Sequence, residues 1–266
     1  MVLDVIDAHF HVWDLERQDL PWLAGTDGSI THTYTMDDLA AAYAAVPDIN
    51  FLGGVYVEVD GADPLLEDRL TWRRMSADPR ILAAIMRTRI EPWMRLPVFA
   101  RGVREPLHID SEAPGRCLEP DFIEGLRVLA AAGRPFESCN RTEDLGLALS
   151  AYRQVPEATV VLNHLGNVTP DTFDDDWRRV MTGFAELPNL YLKVSGFPTD
   201  DASFVSDVFA FVKGAFRPDR LLYASNWPVV DMYATFKSHV EAVREAFGDD
   251  EDFFCNNACA CYGIER

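Results

Sequence analysis

Strand-like and helix-like stretches alternate along the whole of this 266-residue chain, and no other feature limits its fold as strongly. The first strand-like run is Asp4-Val5-Ile6-Asp7-Ala8-His9-Phe10-His11. A polar, aromatic stretch from Trp13 to Thr35 follows; it has no clear period and reads as a long loop over one end of the fold. Further strands are expected at Gly53 to Val59, Ile81 to Met86, Ala100 to Arg104, Pro135 to Ser138, Ala158 to His164, Leu190 to Ser195 and Arg220 to Ser225. Helices are expected at Met36 to Ala45, with Thr35 as N-cap, and at Pro64 to Ala77, Pro120 to Ala132 and Thr142 to Gln154. Four more are expected at Asp174 to Glu186, Asp201 to Ala215, Met232 to Phe247 and Glu251 to Tyr262. Apolar, β-branched runs such as Thr159-Val160-Val161-Leu162 suit strands buried on both faces. About eight strands in a chain close to the usual ~250 residues predict an α/β fold, a (β/α)8 TIM barrel. A doubly wound sheet is the rival. It usually carries a Gly-rich phosphate loop after its first strand, where this chain has His-x-His. No internal repeat or linker interrupts the pattern, so residues 1–266 read as one domain.

If the first strand alternates strictly, Asp7, His9 and His11 share one face, and Ile6, Ala8 and Phe10 the other. Two imidazoles so placed can reach a common point. That suits a metal ion, or a substrate carbonyl that needs a donor and an acceptor together. A polar edge strand is the plainer alternative. In a barrel, chemistry collects at the C-terminal ends of the strands. There this sequence has His9 and His11, Glu58, Arg87, Arg104, Asn140 and Arg141, His164, Lys193 and Ser195, and Ser225 and Asn226. Singly, each has a structural explanation: His164 as a helix cap, Lys193 snorkelling to solvent, Asn226 capping a turn. So many polar residues closing otherwise apolar strands predict a site.

The formal net charge is −19, which repels nucleic acid and anionic membranes and leaves a small molecule as the expected partner. No transmembrane stretch and no signal peptide is read from the sequence. Five cysteines without a framework spacing suggest reduced thiols in a cytoplasm, with Cys255, Cys259 and Cys261 as small residues of a last helix. Trp13, Trp22, Trp93 and Trp227 suit either an aromatic wall against the substrate or simple packing. A homo-oligomer is compatible with all of this.

Five segments resemble, in order, the motifs of the amidohydrolase-2 family. They are Asp7-Ala8-His9-Phe10-His11-Val12-Trp13-Asp14, Gly102-Val103-Arg104, Leu162-Asn163-His164-Leu165-Gly166, Tyr191-Leu192-Lys193-Val194-Ser195-Gly196 and Ala224-Ser225-Asn226-Trp227-Pro228-Val229. The branch they resemble is that of predicted metal-dependent TIM-barrel hydrolases, which includes sugar-acid lactonases and 2-pyrone-4,6-dicarboxylate lactonase. The resemblance implies hydrolysis of a lactone or related cyclic ester. It implies that His9, His11 and His164 line the pocket. They would hold one divalent metal, Zn2+ or Mn2+, in members that need one; other members are metal-independent. Arg104 would bind a substrate carboxylate or polarise its carbonyl, and Lys193 would bind an acidic group. Glu58, Trp13 and Trp227 complete the set expected to face substrate. The eighth-strand position belongs to the general base, which is Asp in much of the superfamily. Here it is Asn226, whose amide cannot take a proton at neutral pH and is a poor zinc ligand. The region between Arg87 and Arg104 is also short beside typical relatives. Lactone hydrolysis is the leading expectation, with Asn226 orienting the water. The alternatives are a metal-dependent decarboxylase and a binding protein that has lost catalysis.

Overall fold

The computed structural model describes residues 2–265. Eight parallel strands follow one another around the sheet in chain order: β1 Leu3–Phe10, β2 Ile49–Val57, β3 Ile81–Arg87, β4 Gly102–Leu107, β5 Phe136–Asn140, β6 Val160–Leu162, β7 Leu190–Val194 and β8 Leu221–Tyr223. Helices α1 Met36–Ala44, α2 Pro64–Ala77, α3 Pro120–Ala131, α4 Leu145–Tyr152, α5 Asp175–Ala185, α6 Ala202–Ala215, α7 Phe236–Phe247 and α8 Asn257–Tyr262 accompany them. This is the (β/α)8 barrel that the alternation predicts. Thr35 caps α1 as expected and forms a capping box with Asp38. No helix among the described residues is long and apolar enough to cross a membrane.

The ring closes between its first and last strands. The Asn226 amide donates to the His9 carbonyl at 2.9 Å, and the His11 amide donates to the Trp227 carbonyl at 2.7 Å. Below them, the Ser225 amide and hydroxyl both donate to the Asp7 carboxylate. Two apolar layers sandwich the sheet. Ile6, Val55, Val57, Ile85, Val161 and Leu222 fill the barrel, together with Cys255, Ala258 and Tyr262 of the C-terminal helical segment. The helices pack on the outside.

Strand β1 does not alternate strictly. Asp7 pairs with Gly54 and Phe10 with Tyr56, so three steps on β1 oppose two on β2, which is a bulge. A side chain on Gly54 would meet the Asp7 carbonyl at 2.4 Å, so only glycine permits this close pairing. The bulge separates residues expected on one face. Asp7 turns outward to accept from the Tyr43 hydroxyl of α1 at 2.9 Å, whereas His9 and His11 meet at the mouth of the barrel.

Several boundaries also move. β6 and β8 are shorter than expected because the chain leaves the sheet through left-handed residues, His164 at φ 53° and Asn226 at φ 58°. The expected 232–247 helix begins at Phe236, capped by Thr235, after a separate 3-10 turn at Val229–Met232. The last helix is a π-turn, Asp252–Asn256, running into α8. Its cysteines form no disulfide, and neither do Cys117 and Cys139.

Candidate active site

The bulge of β1 brings the Nε2 atoms of His9 and His11 to 3.1 Å from each other. His164, just beyond β6, lays its ring 4.6 Å from that of His9, centroid to centroid. Each imidazole is tied at its other nitrogen. His11 Nδ1 lies 2.9 Å from the Val57 carbonyl, His9 Nδ1 lies 3.3 Å from Lys193 Nζ, and His164 Nδ1 lies 2.8 Å from Ser195 Oγ. Gly196 permits the last contact: at φ +75°, a side chain there would come within 2.6 Å of His164 Cβ.

Arg104 of β4 is buried beside these rings, and its Nε donates to Glu58 while its Nη2 donates to the Glu58 carbonyl at 2.9 Å. Burial works against the Glu58 carboxylate, but Arg104 and the Asp60 amide hold its pKa below the ordinary range. Lys193 does not snorkel to solvent. It is fully buried on β7 and donates to Glu137 of β5 at 2.6 Å. Burial pulls the Lys193 pKa down, and Glu137 partly offsets this. Asn226 donates from Nδ2 to the Tyr233 hydroxyl at 3.1 Å, which leaves Oδ1 free to accept.

The three histidines are held neutral at pH 7. Burial is the main cause for each. Lys193 comes next for His9 and Arg104 next for His11 and His164. His11 is lowered to about 3. A neutral imidazole has one N–H to donate and one lone pair to accept, so the cluster can polarise a carbonyl and receive a proton.

Of the residues singled out from sequence, His9, His11, His164, Arg104 and Asn226 stand at one end of the barrel. Glu58 and Lys193 are there too, already paired within the protein. Trp13 and Trp227 pack with Tyr34, at ring distances of 5.2 and 5.0 Å, and Trp22 meets Trp13 at 5.9 Å. This aromatic group pins the Trp13–Thr35 loop, and Trp22 donates to the Val59 carbonyl. Trp93 is apart from it and 69% exposed. A cleft of about 320 Å3 beside Trp13 and α2 and one of about 520 Å3 between α6 and α7 are lined by none of the site histidines. Sequence reading passed over Glu137, which organises the site from below. A carboxylate next to Phe136 on an expected strand was the signal available in the sequence.

The donor set does not fit a divalent metal. Two zinc-bound nitrogens sit about 3.3 Å apart, so the His9–His11 pair has a suitable span. Yet Glu58 and Glu137 are committed to Arg104 and Lys193, and the eighth strand offers an amide. Among the described residues, no three His, Cys, Asp or Glu side chains are grouped so as to hold an ion. The cation of Lys193 also touches His9, where a ligand would need an anion or a carbonyl behind it.

Three comparisons bear on this site. The profile of the amidohydrolase family matches residues 6–264. The solved structure of amidohydrolase 2 from Bifidobacterium longum subsp. infantis is 50% identical, with a TM-score of 0.89 over 99% of this chain and 100% of that one. L-fucono-1,5-lactonase of Burkholderia multivorans is 24% identical over 97% of this chain and 96% of its own. An amidohydrolase of Burkholderia multivorans solved with bound zinc shares the fold at 20% identity, TM-score 0.84, over the full length of both chains.

Proposed function

The chain belongs to the amidohydrolase family, and on that premise we propose that it opens a lactone, of a sugar acid or another carboxylated ring, by attack of an activated water. The observation that carries this reading is the cluster of three buried, neutral imidazoles facing one another beside the fixed cation of Arg104. Similarity to L-fucono-1,5-lactonase supports it.

The water's oxygen bonds to the ring carbonyl carbon, and the carbonyl π electrons move to oxygen. One of the three histidines accepts the water's proton, while an N–H of another and Arg104 meet the developing oxyanion. The ring C–O bond then breaks, and the same proton passes to the departing alkoxide, giving a hydroxy acid. Asn226 accepts a hydrogen bond from the water through Oδ1 and orients it. No step is assigned to a metal, because the donor set does not fit one.

A panel of sugar-acid and carboxylated lactones, assayed with and without chelator and with product identification, tests this. The expected result is opening of at least one lactone at a rate the chelator leaves unchanged. Absence of lactone opening across the panel overturns the proposal. Release of CO2 from a carboxylated substrate would instead favour a lyase.

A further inference from the structure

We propose that Lys193 is a positioning residue: it holds His9 in the tautomer with its hydrogen on Nε2, so that His9 meets substrate as a hydrogen-bond donor and the water's proton goes to His11 or His164. This deepens the hydrolase reading and depends on it for the kinetic consequence, but not for the tautomer itself.

The hydrogen bonds run in one direction. Glu137 is wholly buried and is surrounded by three donors: Lys193 Nζ at 2.6 Å, the Asn163 amide and the Tyr262 hydroxyl. Three donors around one carboxyl group suit its anion, since a protonated carboxyl would have to turn a hydrogen towards one of them. The anion in turn favours an ammonium at Lys193, which has donors only. At 3.3 Å, His9 Nδ1 is therefore the acceptor, and the hydrogen of the ring stands on Nε2.

From the other end the same answer follows. The Val57 carbonyl can only accept, so His11 carries its hydrogen on Nδ1 and presents the lone pair of Nε2. The two rings then meet as Nε2–H of His9 donating to Nε2 of His11 across 3.1 Å. Reversing either ring sets two hydrogens or two lone pairs against each other. Strands β5 and β7, the β6 end and α8 thus fix the orientation of one proton on β1. Turned from His11 to a lactone carbonyl, this neutral imidazole N–H polarises it without first being protonated, and the lone pair it leaves on His11 Nε2 is freed to accept.

Long-range 1H–15N spectra of the 15N-labelled full chain read the tautomers directly, with His9→Gln and His11→Gln variants assigning the two rings. The expected result is Nε2–H for His9 and Nδ1–H for His11. A His9 ring protonated at Nδ1, or an even mixture, overturns the proposal. Replacing the ion pair together, Lys193→Met with Glu137→Gln, leaves no buried charge alone. It is expected to give His9 mixed tautomers and to lower turnover of the lactone at least ~10-fold with KM within ~3-fold. Unchanged tautomer and turnover in that variant also overturn the proposal. Should the variant fail to fold, the wild-type spectra still decide. If no lactone is opened by the wild type, the hydrolase reading fails while the tautomer stands or falls on the spectra alone.

Discussion

At the scale of single residues, the histidines and Asn226 carry the sharpest expectations. His9→Ala or His164→Ala is expected to lower turnover at least ~100-fold with folding intact, measured by lactone hydrolysis alongside circular dichroism. Wild-type rates in both variants would remove the cluster from the chemistry. Asn226→Asp puts a carboxylate where we propose that the amide orients water. Measurable wild-type activity that this change alters by less than ~10-fold is the expected outcome. Activity appearing only in the variant would identify a chain that binds but does not turn over. His9, His11, His164 and Asn226 were legible because they stand at or just beyond the ends of apolar strands, and Arg104 because it was expected to end β4, which in fact runs on to Leu107. The face of Asp7 was not, since it depends on a bulge and on donors from Ser225, 218 positions away. Glu137 was passed over because its three donors come from β6, β7 and α8, which no local pattern brings together.

At the scale of elements, eight strands and eight helices could be read because apolar periodicity is local, and α2 matches its expected span. Boundaries moved where a left-handed residue ended a strand or a 3-10 turn preceded a helix, both set by packing at the barrel mouth. Helix α2 docks on β2 through Glu67, whose Oε1 accepts from the Tyr56 hydroxyl and the Val59 amide, both at 2.7 Å. Burial, then the nearby Glu58 charge, raises the Glu67 pKa to about 7 from an ordinary 4.5. The folded state therefore holds this proton more tightly than the unfolded chain. The stabilisation is complete below pH 4.5 and is lost as pH rises through 7. Thermal melts between pH 5 and 8 should show Tm falling with pH, and Glu67→Gln should flatten that part of the profile. An unchanged slope in the variant would assign the decline to other groups.

At the scale of the whole molecule, a formal charge of −19 surrounds a site lined by Arg104 and Lys193. A carboxylated lactone must approach against that field, so kcat/KM should rise with salt between about 10 and 150 mM while kcat stays level. A neutral lactone should show no such rise, and a fall for the anionic one would mean that local cations govern its approach. The barrel itself is a ring whose two ends meet along a seam from Asp7 and Ser225 to His11 and Trp227. Seven strand pairs join neighbours in the chain, whereas this one spans more than 200 positions and carries the greatest loop-closure cost. The seam is thus the natural place for the ring to part first. The amides of His11, Ser225 and Asn226 each cross it, so their exchange with deuterium measures opening of the barrel beside the histidine cluster. We expect these three amides to exchange together, and faster than those of β2 paired to β3. Were they the slowest in the protein, the seam would be its clasp, and opening would begin elsewhere on the circle.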